Sequence, residues 1–129
     1  MNLRSYLTRL ESTLHSRKDI FIEDLQINIR VVSAGFNAVI LFHDSSKLII
    51  AEHLQRVGPL NCKRATYRFH YQQADNILIF RYDNSPHYPH LATFPAHKHV
   101  RDTVIAADPP DLADVLREID AILYSGTNQ

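Results

Sequence analysis

The sequence predicts an α+β fold: an antiparallel sheet of five to six strands with one helix at its N-terminal end and one at its C-terminal end. Three observations lead there. Apolar residues recur every three to four positions at both ends of the chain, they alternate with polar ones through the middle, and the alternating runs are joined by segments too short for crossover helices.

Leu3, Tyr6, Leu7, Leu10 and Leu14 make one stripe of a helix from about Asn2 to Ser16. From Asp19 the period falls to two, most clearly in Gln26-Ile27-Asn28-Ile29-Arg30-Val31. Strands are expected at about 19–33, 37–43, 47–57, 64–72 and 76–83, divided by Gly35-Phe36-Asn37, Asp44-Ser45-Ser46, Gly58-Pro59 and Gln73-Ala74-Asp75. Asp24 marks a bulge or break in the first. Between Asp83 and Ala96 periodicity disappears while Pro86, Pro89 and Pro95 accumulate, which predicts a loop. His99 to Ala106 is expected as a sixth strand. Asp108-Pro109-Pro110-Asp111 supplies an N-cap and prolines suited to a first turn. Leu112, Val115, Leu116, Ile119, Ile122 and Leu123 then follow at amphipathic spacing, with Gly126 as the stop.

Composition narrows the function classes. The 129 residues fit a single domain over 1–129, and 45% apolar with only three glycines is unlike a disordered or collagen-like chain. Fourteen Lys/Arg balance fourteen Asp/Glu, so any affinity for nucleic acid must come from charge placement and not from net charge. One cysteine, Cys62, allows neither an internal disulfide nor a CxxC pair, and suits a reducing cytoplasm. The first residues lack the apolar core of a signal peptide, and no apolar run approaches the roughly 18 to 20 residues of a membrane span, so no membrane association is expected. GxxxxGK[ST], GxGxxG, GxSxG and HExxH are all absent.

The chemistry concentrates late in the chain. Four of the eight histidines, His87, His90, His97 and His99, fall within thirteen residues. A structural role covers one of them easily; four in one proline-stiffened loop ask for more. Between Asn61 and Arg101 six cations face two acids, so the neutral chain hides a basic segment. Arg64, Thr66, Arg68 and His70 occupy alternate positions of one expected strand and should share a face, which Arg81 and Asp83 join if the next strand is in phase. Imidazoles and cations so gathered suit phosphodiester cleavage, one ring removing the 2′-hydroxyl proton while an acid serves the leaving oxygen. Tyr82 and Tyr88 can stack on bases or simply pack. The same histidines offer metal spacing, as His97-x-His99 and His87-x-x-His90 with Asp83 nearby.

The run Arg81-Tyr82-Asp83-Asn84-Ser85-Pro86-His87-Tyr88-Pro89, continued by Thr93-Phe94-Pro95-Ala96-His97-Lys98-His99, resembles the signature of the TumE-like toxin family of toxin-antitoxin modules. The family pattern reads Arg-Tyr-Asp-Asn-Ala-Pro-His-His-Pro and then Thr-Phe-Pro-x-His-Lys-His, so this chain departs from it at Ser85 and Tyr88. The resemblance implies a toxin, a cognate antitoxin with a helix-turn-helix domain, and growth inhibition by RNA cleavage.

The leading expectation is therefore a metal-independent endoribonuclease toxin that requires no cofactor. His87 and His97, or His99 in place of His97, would be acid and base; Asp83 would orient an imidazole; and Arg81 would stabilise the phosphate. RNA would lie along Arg64, Arg68, His70, Tyr82, Asn84 and Lys98, with Asn84 either contacting substrate or fixing the loop. The alternatives are a non-catalytic RNA- or protein-binding module and a metal-dependent hydrolase. A homodimer is compatible with each.

Overall fold

Alternation of apolar and polar residues from Ile20 onward builds a sheet whose apolar face is closed by the two amphipathic helices. The computed structural model describes residues 1–125. Among them the elements run α1 (Leu3–His15), β1 (Ile20–Ile29), β2 (Ser33–Phe42), β3 (Lys47–Arg56), β4 (Cys62–Gln72), β5 (Leu78–Asp83), β6 (His97–Val100), β7 (Thr103–Ala106) and α2 (Leu112–Leu123). The seven strands form one antiparallel sheet in chain order, each pairing with the next.

The helix expected at the N-terminal end is α1, capped by the Asn2 side chain, whose Oδ1 accepts from the Ser5 N–H at 3.0 Å. Its buried residues are Leu3, Tyr6, Leu7, Leu10 and Leu14, the predicted stripe. At the other end Asp111 caps α2 and forms a reciprocal capping box with Asp114, so Pro109 and Pro110 precede the helix and do not open its first turn. Leu112, Val115, Leu116 and Ile119 are buried, and Ile122 faces outward. Gly126 lies outside the described residues.

Seven strands stand where five or six were expected. The segment His99–Ala106 is a hairpin: β6 and β7 turn about Arg101 and Asp102, with Arg101 at φ 55°. No glycine or asparagine announces this left-handed position, which hides the turn from the sequence. The first connection also moves. β1 and β2 join across 30–32, and β2 runs straight through Gly35-Phe36-Asn37. Ala34, Phe36, Ala38, Ile40 and Phe42 are all buried, and this unbroken two-residue phase outweighs the turn propensity of Gly35 and Asn37. The expected break at Asp24 is present as a register shift between Ile22 and Asp24.

One buried cluster joins α1 and α2 to Phe36, Ile40, Leu48, Ile50, Leu54, Phe69, Tyr71 and Phe80. The opposite face carries no helix among the described residues. A second register shift sits between β3 and β4, where His53 pairs with Thr66 but Leu54 pairs with Arg64. Ala65 is thus the extra residue of a bulge. Among the described residues no helix is long and apolar enough to cross a membrane.

Leu14 is wholly buried between helix and sheet. Leu14→Ala should therefore lower unfolding stability by about 2 to 5 kcal/mol, read as a lower urea midpoint with an unchanged m-value.

Candidate active site

Residues directly opposite each other on antiparallel strands share a face, and register alone assembles the site. Arg68 pairs with Asp83, Asp83 with His97, and His97 with Ala106. Two residues along, His70 pairs with Arg81, Arg81 with His99, and His99 with Val104. The two rows set Arg68, His70, Arg81, Asp83, His97 and His99 together on the sheet face away from the helices.

Asp83 is the centre of these rows and is buried. Its Oδ1 accepts from the Ser85 N–H at 3.0 Å and lies 3.0 Å from His97 Nε2. Its Oδ2 lies 3.5 Å from both His99 Nε2 and Arg81 Nε. His97 is only 1% exposed. A carbonyl oxygen can only accept, so the 2.8 Å contact between His97 Nδ1 and Pro95 O places a hydrogen on Nδ1. The other ring nitrogen, Nε2, stands 3.2 Å from His99 Nε2. Burial, aided by the nearby Arg81 and His97, pushes the His99 imidazole below its ordinary value against the pull of Asp83. Burial likewise lowers His70, with Arg81 and Arg68 adding to the effect, while its hydrogen bond to Gln72 Oε1 at 2.9 Å opposes it.

The loop between β5 and β6 closes over this floor. Tyr88 packs edge-on against His97 and His99, with ring centroids 4.9 and 5.8 Å apart, so here it is a packing residue. Thr93 pins the return of the loop by donating to Ala96 O at 2.7 Å and accepting from Ala107 N–H at 2.9 Å. What stays open is a cleft of about 240 Å³ lined by Arg68, Arg81, Asp83, Ser85, His87, Tyr88, His97 and His99. It shares Arg68, Asp83 and Ser85 with an adjoining groove of about 480 Å³ that runs past Thr66, His53 and Asn37. His87 and Arg68 are exposed at this cleft, and neither side chain makes a hydrogen bond or an ion pair with another described residue.

Four residues expected on the RNA-binding face are placed otherwise. The bulge at Ala65 reverses the phase of β4, so Arg64 points to the helix side, stacks over Tyr67 at 4.3 Å and approaches Glu52 Oε2 at 3.8 Å. Tyr82 and Lys98 pair with each other, also on the helix side, and both bond Glu118 of α2 at 2.6 Å. Burial and the Glu118 acceptor raise the Tyr82 hydroxyl. Burial by itself would lower Lys98, but Glu118 and Tyr82 hold its ammonium above the ordinary value. Asn84 spends its amide on the bulge: Nδ2 donates to Ala65 O at 3.0 Å and Oδ1 accepts from Tyr67 N–H at 3.2 Å.

Sequence reasoning passed over Glu52, which is buried with its Oε1 accepting from the Tyr6 hydroxyl and its Oε2 without a hydrogen bond. Its signal was available, since Glu52 is the charged member of the apolar phase Leu48, Ile50, Glu52, Leu54. Cys62 is buried too, and burial pushes its thiol up, away from a nucleophile's range. Asp83, His97 and His99 each present one ligand atom, all within 4.8 Å of one another, a set able to hold a metal ion. His87 and His90 lie outside it.

Residues 8–123 match the family model described as Toxin TumE, from within α1 to the last residue of α2 and across all seven strands. No curated protein and no solved structure matches.

Burial raises the Glu52 carboxyl, while the Tyr6 hydrogen bond and Arg64 oppose the shift. A folded-state value above the unfolded one adds stability that is complete below the ordinary carboxylate range, near about pH 4, and lost as pH rises through the raised value. Glu52→Gln, which cannot ionise, should gain stability relative to wild type between about pH 4 and pH 7. Urea unfolding at both pH values measures the change, and a pH-independent difference would contradict it.

Proposed function

We propose that this chain, which belongs to the TumE toxin family and so is the toxin of a toxin-antitoxin system, arrests growth by cutting RNA in the cleft on its open sheet face. The observation that carries the proposal is the convergence of two guanidinium groups, one disengaged imidazole and a buried Asp-His-His cluster on a single cleft.

Cleavage there runs through the ribose. The 2′-oxygen bonds to the adjoining phosphorus as the P–O5′ bond breaks; the 2′-hydroxyl proton passes to a base, and the departing 5′-oxygen takes up a proton. The products are a 2′,3′-cyclic phosphate and a 5′-hydroxyl. Arg68 and Arg81 hold the phosphate and offset its developing charge. His87, exposed at the mouth, carries one of the two proton transfers. His97 is enclosed with both nitrogens engaged, which suits a positioning residue better than the second member of an acid-base pair. The groove past Thr66 and His53 gives the strand a path. An antitoxin, in this reading a helix-turn-helix protein, neutralises the toxin by covering that groove.

Purified protein with a defined RNA tests the proposal. His87→Ala should slow cleavage by about 10²- to 10⁴-fold with an unchanged melting curve, and should relieve toxicity in cells lacking antitoxin. Arg68→Ala should weaken RNA binding and flatten its salt dependence. RNA that is bound but never cut, or equal cleavage by wild type and His87→Ala, would overturn it.

A further inference from the structure

The Asp83 cluster brings three potential ligand atoms together, one each from Asp83, His97 and His99. His97 gives its Nδ1 hydrogen to Pro95 O, so in a neutral ring Nε2 presents a lone pair. That lone pair faces Asp83 Oδ1 at 3.0 Å and His99 Nε2 at 3.2 Å, and His99 Nε2 in turn faces Asp83 Oδ2 at 3.5 Å. Either a proton on His97 Nε2 or a metal ion in its place brings these electron-rich atoms together.

The spacing fits a metal. Ligands about 2.1 Å from one ion, at angles of about 90° to 110°, are separated by about 3.0 to 3.4 Å. The outer contacts are those of orienting partners: Pro95 O fixes the His97 ring, and the Ser85 N–H holds the Asp83 carboxylate. Two imidazoles and one carboxylate select a first-row transition ion over magnesium or calcium, which prefer oxygen ligands throughout. Three protein ligands also leave coordination positions for water or substrate.

We propose that Asp83, His97 and His99 form a binding site for one divalent transition-metal ion. The site deepens the nuclease reading and rests on it for its role, in which the ion polarises a non-bridging phosphate oxygen held between Arg68 and Arg81. The positive charge of Arg81 beside Asp83 Oδ2 tempers ion affinity and gives the phosphate a second cation to meet. His87, outside the ligand set, remains the proton carrier.

The test titrates chelator-treated full chain with Zn²⁺ and with Mn²⁺ by calorimetry, without RNA, and records the absorption spectrum with Co²⁺. One ion per chain should bind, with affinity reduced at least about 100-fold in Asp83→Asn and in His99→Ala and unchanged in His90→Ala, an exposed histidine outside the cluster. Folding of each variant is followed by circular dichroism; His99 is on the cleft wall, so its variant carries the test should the buried Asp83 change fail to fold. No stoichiometric binding, or equal binding by wild type and His99→Ala, would overturn the site. Stoichiometric binding without RNA cleavage would sustain the site and remove the nuclease reading. Cleavage by metal-free protein, undiminished in chelator, would overturn the ion's part in the reaction.

Discussion

A carboxylate removed from water must be met by donors or by cations, and at Asp83 two adjacent strands and a turn supply them. Ser85 N–H and the His97 ring meet one oxygen, while His99 and Arg81 flank the other. Asp83 ends β5 and pairs with Arg68 on one side and His97 on the other, so the carboxylate ties the register of β4, β5 and β6 to the shape of the cleft. A slip of one residue in either pairing would send the neighbouring imidazoles and guanidinium groups to the opposite face. The site and the narrow end of the sheet are for this reason one structural unit.

The two faces divide the labour. On the helix side, apolar side chains form one core, and its polar members are anchored to helices: Tyr82 and Lys98 to Glu118, Glu52 to Tyr6, with Arg64 laid over Tyr67. On the other side no helix of the described residues competes for space, and the exposed Arg68 and half-buried Arg81 line the cleft. The bulge at Ala65 enforces the division within a single strand. It directs Arg64 inward and Arg68 and His70 outward, and Asn84 stabilises it by replacing missing ladder bonds with its own amide. A residue that resembles a nucleic-acid contact in sequence thus serves the backbone instead.

The loop between β5 and β6 is the third component. Its prolines keep it out of the ladder, Thr93 fastens its return, and Tyr88 covers the rings of His97 and His99 while His87 is left at the mouth. Enclosure holds His97 away from solvent. Exposure makes His87 available. The histidines of one short stretch therefore have different chemistry because the loop buries one and presents another.

Much of this was written in local pattern. The leucine stripe of α1, the amphipathic spacing of α2, the two-residue phase of the sheet, the bulge near Asp24 and the crowding of histidines between His87 and His99 all depend on residues a few positions apart, and sequence reasoning reached each of them. The toxin signature spanning Arg81 to His99 was equally legible, as the match over residues 8–123 bears out. The hairpin at Arg101, the reversal of Arg64, the withdrawal of Tyr82, Lys98 and Asn84 from the open face, and the meeting of His97 and His99 on one carboxylate were decided only by tertiary structure. Each depends on which residue of a neighbouring strand stands opposite, and a single unpaired residue such as Ala65 inverts that relation with no mark in the local pattern.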